Sequence, residues 1–161
     1  MDKILVFIPC YNVENHIIKV LESLKSYDCI TEIIVVDNGS KDKTIDTVIE
    51  YSKNNSQLPV SVLKNRENYN LGGSHKVAFK YAADNGFDYV IVLHGDNQGD
   101  INDIKDILSN KTYRNYDCCL GARFMKGSKL VNYSGTKIAG NVAFNLLFSL
   151  FLGKKIYDLG G

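Results

Sequence analysis

Short apolar runs alternate with amphipathic stretches along most of this chain, and that rhythm restricts the fold more than any other feature. The runs are Ile4 to Ile8, Glu32 to Val36, Val60 to Leu63, Tyr89 to Leu93 and Cys118 to Gly121, each of strand length. Between them Ile17, Val20, Leu21 and Leu24 mark one helical stripe, and Ile45, Val48 and Ile49 a second. Val77, Ala78, Tyr81 and Ala82 mark a third, with Ile101, Ile104 and Leu108 a fourth. The alternation predicts an α/β fold with a doubly wound, mostly parallel sheet, because parallel neighbours need a crossover and helices supply it. Gly86 stands where the third helix should end. The rhythm stops near Arg123, the one organisational boundary in the sequence.

In an open parallel sheet, ligands bind at the carboxyl ends of the strands, so the segments after each run are the candidates for function. Tyr89 to Leu93 reads as a strand buried on both faces and leads into His94-Gly95-Asp96-Asn97-Gln98. On an extended chain His94, Asp96 and Gln98 share one side, so an imidazole, a carboxylate and an amide oxygen are expected to converge on a divalent cation. The competing reading is a polar turn that closes the strand. After the first run, Pro9 ends the pairing, Tyr11 offers a face for stacking a base, and Asn12 offers a donor and an acceptor. After the second, Asp37 can accept from a nucleobase or ribose, or can serve with Asn38-Gly39-Ser40 as turn and helix-cap chemistry. After the third, Arg66 can neutralise a diphosphate, and Gly72-Gly73 opens a helix whose first N–H groups can approach a ligand.

Composition excludes several classes. With 161 residues, 45% hydrophobic and 23% charged, the chain is an ordinary globular one with a sizeable core. The four cysteines show no C-x-x-C spacing, which argues against a zinc site or a disulfide framework and for a reducing compartment. No G-x-G-x-x-G follows the first run and no P-loop spacing occurs, so an NAD-type Rossmann domain and a P-loop enzyme are disfavoured. A sugar nucleotidyltransferase would carry a Gly-rich loop with Arg and Lys directly after the first strand, and Pro9 to Asn15 has none. The net charge of +1 is unevenly spread, since Cys118 to Tyr157 holds Arg123, Lys126, Lys129, Lys137, Lys154 and Lys155 and no Asp or Glu. That asymmetry points to an anionic partner or to a solvated basic face. Basic residues interleaved with aliphatics rather than a stacking platform argue against nucleic acid. Met1-Asp2-Lys3 passes directly into the first run with no signal-peptide pattern.

Taken together, Pro9-Cys10-Tyr11-Asn12 with Glu14, Val35 to Ser40, Asn68 to Gly72, Asp96 with Gln98, and Leu120-Gly121-Ala122-Arg123 resemble the motifs of family 2 glycosyltransferases, in family order. The carboxylate-x-Gln arrangement and the Gly-Ala-Arg are most similar to the dolichol-phosphate mannose synthase and polyprenyl-phosphate sugar transferase branch. The resemblance implies a GT-A fold and an inverting transfer of a hexose from a UDP- or GDP-linked sugar. The implied acceptor is a polyprenyl phosphate or a cell-surface glycan precursor. It implies that Pro9, Tyr11, Asn12, Glu14, Asp37, Arg66, Gly72 and Asp96 bind the nucleotide sugar. Asp96 and Gln98 would hold Mg²⁺ or Mn²⁺, and Arg123 would contact phosphate. Two positions depart from that branch. His94 stands where its first carboxylate is usual, a softer ligand that suits Mn²⁺ better than Mg²⁺. Asp158-Leu159-Gly160-Gly161 stands where an acceptor-side Asp-x-x-Ser-Gly is usual.

The chain is therefore expected to be one catalytic domain truncated at its C-terminus, with residues 1–100 as the nucleotide-sugar half and 101–161 as an incomplete acceptor half. A phosphate acceptor needs no general base, and a hydroxyl acceptor would call on Asp158. Ser134 to Gly153 reads as an apolar helix flanked by Lys137 and Lys154-Lys155, and its longest apolar stretch, Ile138 to Leu152, is interrupted by Gly140, Asn141, Asn145 and Ser149 and is shorter than the ~20 residues needed to span a bilayer. It suits either a membrane interface or the core or oligomer surface of the domain. The expected location is the cytoplasm, at the cytoplasmic face of a membrane. A non-catalytic nucleotide-sugar-binding or membrane-interaction module is the alternative that the sequence leaves open.

Overall fold

The structure, a computed structural model, describes residues 1–125, 127–128 and 134–158. Lys126 and Lys129 of the basic segment and Leu159-Gly160-Gly161 of the last motif lie outside the described residues. The chain divides into two compact units, Met1–Lys105 and Asp106–Gly161.

The first unit is a four-stranded parallel sheet in the order β3-β2-β1-β4, formed by β1 (Ile4–Cys10), β2 (Glu32–Asp37), β3 (Val60–Lys64) and β4 (Tyr89–Val92). Its helices are α1 (Ile17–Ser23), α2 (Thr44–Asn54) and α3 (Asn70–Asp84). Side chains alternate across a strand, so each strand feeds two cores. Val6, Ile8, Ile33 and Val35 pack with Ile17, Val20, Leu21 and Val48 of α1 and α2. Leu5, Phe7, Ile34 and Val36 pack with Ala78 and Ala82 of α3. Helices thus cover both faces, and the expected doubly wound, mostly parallel sheet is what forms. Gly86, at φ +66°, follows α3 as expected.

Four expectations are corrected. β4 is an edge strand, half-buried with Val92 exposed, because β1 covers only one of its sides; the strands buried throughout are β1 and most of β2. Cys118 to Gly121 forms no strand and is exposed, Leu120 at 82%, since no strand among the described residues pairs with it. The buried stripe of α2 is Thr44, Val48 and Tyr51, while Ile49 lies outside. The fourth stripe splits into a 3₁₀ turn over Ile101–Ile104 and a single helical turn, α4 (Lys105–Ser109). The second unit is dominated by α5 (Gly135–Leu152), which matches the expected apolar helix, with Ser134 capping its start and Gly153 at φ +61° ending it.

Candidate functional site

The strand order dictates where a ligand can enter. From β1 the chain steps to β2 and β3 in one direction, then α3 returns it to place β4 on the other side of β1. The loops after β1 and β4 therefore diverge to opposite faces, opening a crevice at the carboxyl ends of these two strands. A cavity of about 330 Å³ lies there, lined from β1 by Pro9, Cys10, Tyr11 and Val13 and from β4 by His94, Gly95 and Asp96. Asn38 after β2, with Asn68, Asn70, Leu71 and Ser74 at the start of α3, completes the wall. Of the residues expected to bind nucleotide sugar or metal, Pro9, Tyr11, His94 and Asp96 line this cavity. Asn12, Glu14, Asp37, Arg66, Gly72 and Gln98 do not.

Several of the latter are spent on holding the loops. Asp37 is fully buried, and its carboxylate accepts from the N–H groups of Gly39 and Ser40 at 3.2–3.3 Å. The geometry of that segment is a turn, with Gly39 at φ +82°, while α2 begins only at Thr44 with Lys43 at its N-cap. Asn12 donates its N–H to Ser40 Oγ and accepts from Lys41 N–H through Oδ1, at 2.9 and 2.8 Å. Glu14 Oε2 accepts from Lys43 N–H at 2.8 Å, and Asp42 accepts from Glu14 N–H at 3.1 Å. Thr44 Oγ1, fully buried, donates to Asp42 and accepts from Val13 N–H. Burial opposes ionisation of Asp42, but the bonds from Thr44 and from backbone N–H groups outweigh it and hold its carboxyl below the usual range. These contacts lash the loops after β1 and β2 together and fix Tyr11 and Val13 at the cavity rim.

A second polar network fixes the opposite wall. Asn38 Oδ1 accepts from Asn65 Nδ2 and Tyr69 N–H at 2.9 Å, while Asn38 Nδ2 donates to Asn68 Oδ1 at 2.8 Å. Asn65 Nδ2 also donates to Ser74 Oγ, and all three of Asn38, Asn65 and Ser74 are buried. No local motif marks Asn65 or Ser74 for this task; only folding brings the end of β3 against α3. Arg66 is exposed on this loop. Gly72 has open space where a side chain would sit, whereas a Cβ at Gly73 would collide with Tyr69 Cβ. Gly73 therefore serves the packing of the first turn.

On the β4 side the chain turns instead of running extended. Asn97 has φ +60° and Asp96 Oδ1 accepts from Gln98 N–H at 3.1 Å, an Asx turn. The turn breaks the i, i+2, i+4 alignment, so His94 and Asp96 reach the cavity and Gln98 does not. Gly95 lies beneath them, buried, with its N–H donating to Pro9 O at 3.2 Å. Any Cβ there would stand 2.7 Å from Cys10 Sγ. Burial first, then the carboxylates of Asp37, Asp42 and Asp96, push the Cys10 thiol far up, so it is an inert packing group.

A divalent cation fits this wall only as a shared ligand. Among the described residues no three His, Cys, Asp or Glu side chains form a cluster able to hold one. A carboxylate and an imidazole on one cavity wall can still supply part of a coordination shell whose remainder comes from substrate phosphates and water, the usual mode for Mg²⁺.

In the second unit, Arg123 and Asp158 are bound to each other. Arg123 Nε donates to Asp158 Oδ2 at 2.7 Å, Nη2 to Oδ1 at 2.8 Å, and the Arg123 N–H to Oδ2 at 2.9 Å. The Asp158 side chain is 2% exposed and that of Arg123 32%. Both carboxylate oxygens are engaged, which is poor geometry for a general base and good geometry for orienting a guanidinium.

The comparisons with known proteins agree with this architecture. A sequence model described as glycosyl transferase family 2 matches residues 5–159. An uncharacterized protein of Methanocaldococcus jannaschii is 30% identical over 157 residues, covering 98% of this chain and 61% of that protein. The UDP-N-acetylglucosamine–dolichyl-phosphate N-acetylglucosaminyltransferase of Methanococcus voltae is 27% identical, covering 98% of this chain and 66% of the enzyme. The chain thus spans less than two thirds of either relative. Among solved structures, residues 1–349 of TarS from S. aureus, in complex with UDP, superpose with a TM-score of 0.60 at 25% identity, over 81% of this chain and 38% of that fragment. The shared architecture is the GT-A fold, and this chain belongs to glycosyl transferase family 2.

Proposed function

We propose that this chain is the GT-A catalytic domain of an inverting glycosyltransferase that moves a hexose from a UDP- or GDP-linked sugar to a polyprenyl phosphate at the cytoplasmic face of a membrane. The observation that carries the reading is the cavity at the β1/β4 switch point, where a stacking face, amide groups and a carboxylate converge in a family 2 chain. Tyr11 would take the base, with Asn38, Asn68 and Asn70 supplying polar contacts to base and ribose. Asp37, Asn12 and Glu14 act behind them by fixing the loops. Asp96, with His94 beside it, would hold Mg²⁺ or Mn²⁺, which when bound offsets the charge that gathers on the departing diphosphate.

The acceptor class follows from the second unit and from the relatives. Asp158, the late candidate for a base, is committed to Arg123. An acceptor that is already anionic requires no base, and the Methanococcus voltae relative is named for a dolichyl-phosphate acceptor. Arg123, oriented by Asp158, is assigned to phosphate recognition. The division into a nucleotide-sugar half and a shorter acceptor half belongs to the same proposal.

Thermal shift with UDP and GDP, each with and without Mn²⁺, tests it. A nucleotide present at about 100 times its Kd stabilises the native state by roughly 2.7 kcal/mol. The Mn²⁺-dependent part should disappear in Asp96→Ala while the unliganded melting temperature is nearly unchanged, since Asp96 lies in a loop. Metal-dependent affinity equal to wild type in that variant would sink the assignment. Incorporation of labelled sugar into a polyprenyl phosphate then separates an enzyme from a binding module.

A further inference from the structure

The asparagine wall of the cavity has its acceptors occupied and its donors in hand. A backbone N–H can only donate, so wherever one meets a side-chain amide it fixes which end of that amide is oxygen. Tyr69 N–H fixes Asn38 Oδ1, which also accepts from Asn65 Nδ2 and is thereby filled. Asn70 N–H fixes Asn68 Oδ1 in the same way, and Asn38 Nδ2 fills its second lone pair, both at 2.8 Å. Asn65 Nδ2, buried behind them, gives its other N–H to Ser74 Oγ at 3.2 Å. Among the described residues Asn68 Nδ2 donates to no protein atom, one N–H of Asn38 Nδ2 remains over, and the Ser74 hydroxyl accepts without donating. All three residues line the cavity, and the two amides have only N–H groups left to offer a ligand.

Acceptors are scarce on the same rim. Asn70 lines the cavity with a side chain that bonds to none of the described residues, so it keeps one amide oxygen free. Both Asp37 oxygens are held within its own turn. Among the described residues that line the cavity, Asp96 is the only Asp or Glu.

We infer that this wall selects uracil over guanine, so that the donor is a UDP-linked sugar; the selection narrows the proposed function and rests on it. With the ring stacked on Tyr11, uracil turns O2 and O4, two acceptors, to either side of a single N3–H donor. The N–H groups of Asn68 and Asn38 and the Ser74 hydroxyl suit the two carbonyl oxygens, and the Asn70 oxygen suits N3–H. Guanine carries the opposite set, one O6 acceptor beside the adjacent N1–H and N2 amino donors. Such a donor pair calls for a carboxylate, and Asp96 is assigned to the cation. Guanine on this wall would set donor against donor, away from water and without a partner, which is how a site built for one hydrogen-bonding edge rejects another.

Titration calorimetry in Mn²⁺ with UDP, GDP and inorganic pyrophosphate tests the selection. Wild type should bind UDP at least about tenfold more tightly than GDP. Asn68→Asp keeps an oxygen for the two bonds that Asn68 Oδ1 accepts and exchanges only Nδ2 for a second acceptor, at an exposed position. Its added charge should weaken all three ligands, with pyrophosphate as the measure of that effect, while the preference for UDP over GDP falls by at least about tenfold. Equal Mn²⁺-dependent affinity for UDP and GDP in wild type overturns the selection and leaves nucleotide binding at Asp96 standing. A preference unchanged in Asn68→Asp also overturns it, and equal weakening of pyrophosphate would then assign the wall to phosphate. Binding of neither nucleotide removes the proposed function and the selection with it.

Discussion

Placing a methyl group on Gly95 isolates the contact that seats the His94–Asp96 turn on β1. An alanine Cβ would stand 2.7 Å from Cys10 Sγ, 3.1 Å from Pro9 O and 3.3 Å from Val13 Cγ2. Cys10 and Val13 are 2% and 7% exposed, so neither side chain has a solvent side to retreat to. Overpacking a filled site costs about 1–3 kcal/mol. Gly95 is not among the positive-φ glycines, so alanine can adopt its backbone and returns about 0.4–1 kcal/mol by restricting the unfolded chain. The net expectation for Gly95→Ala is a loss of roughly 1–2 kcal/mol, read as a lower urea midpoint at unchanged slope. Cys10→Ala removes the nearest atom, so in the double variant the loss should fall short of the sum of the singles by about 0.5 kcal/mol or more. Additivity within about 0.3 kcal/mol, or a Gly95→Ala protein as stable as wild type, would refute the packing argument.

The lowered carboxyl of Asp42 contributes stability that is present above the ordinary carboxylate range and is lost as pH falls through the depressed folded value. Asp42→Asn should therefore cost about 1 kcal/mol in urea unfolding at pH 7, and the difference should shrink as pH falls below the ordinary carboxylate range; a difference that does not change with pH would refute the linkage. For Asp158→Asn the Arg123 amide proton, which Asp158 Oδ2 accepts, should exchange at least about tenfold faster, because a carboxylate that orients Arg123 loses its charge-assisted bonds. Unchanged exchange at Arg123 would return Asp158 to the role of a base.

The alternation of strands and helices was legible because it depends on local periodicity. Val6 and Ile8 face one core and Leu5 and Phe7 the other for no reason but the two-residue repeat of an extended chain. The place of the ligand site was legible too, since carboxyl ends of parallel strands are where loops can diverge. His94 and Asp96, singled out after the fourth run, line the cavity, and α5 falls within the expected Ser134 to Gly153.

What the tertiary structure decided was how each polar side chain is spent. Asp37, Asn12 and Glu14 look like ligand-binding residues in a linear reading, but Asp37 accepts from N–H groups of its own turn, whereas Asn12 and Glu14 accept from backbone N–H groups of the neighbouring loop. The partners of Asn12 and Glu14 are brought close only by the sheet. Gln98 was lost to the site by one positive φ at Asn97, a choice the turn makes and residue spacing does not reveal. Asp158 was 35 residues from Arg123 in sequence and met it only on folding. Strand order made β4 an edge and created the crevice beside β1, and the return of residues 154–158 along Asn145 and Ser149 turned the apolar side of α5 outward. Periodicity is a property of neighbours along the chain, whereas hydrogen-bond competition and edge position are properties of neighbours in space.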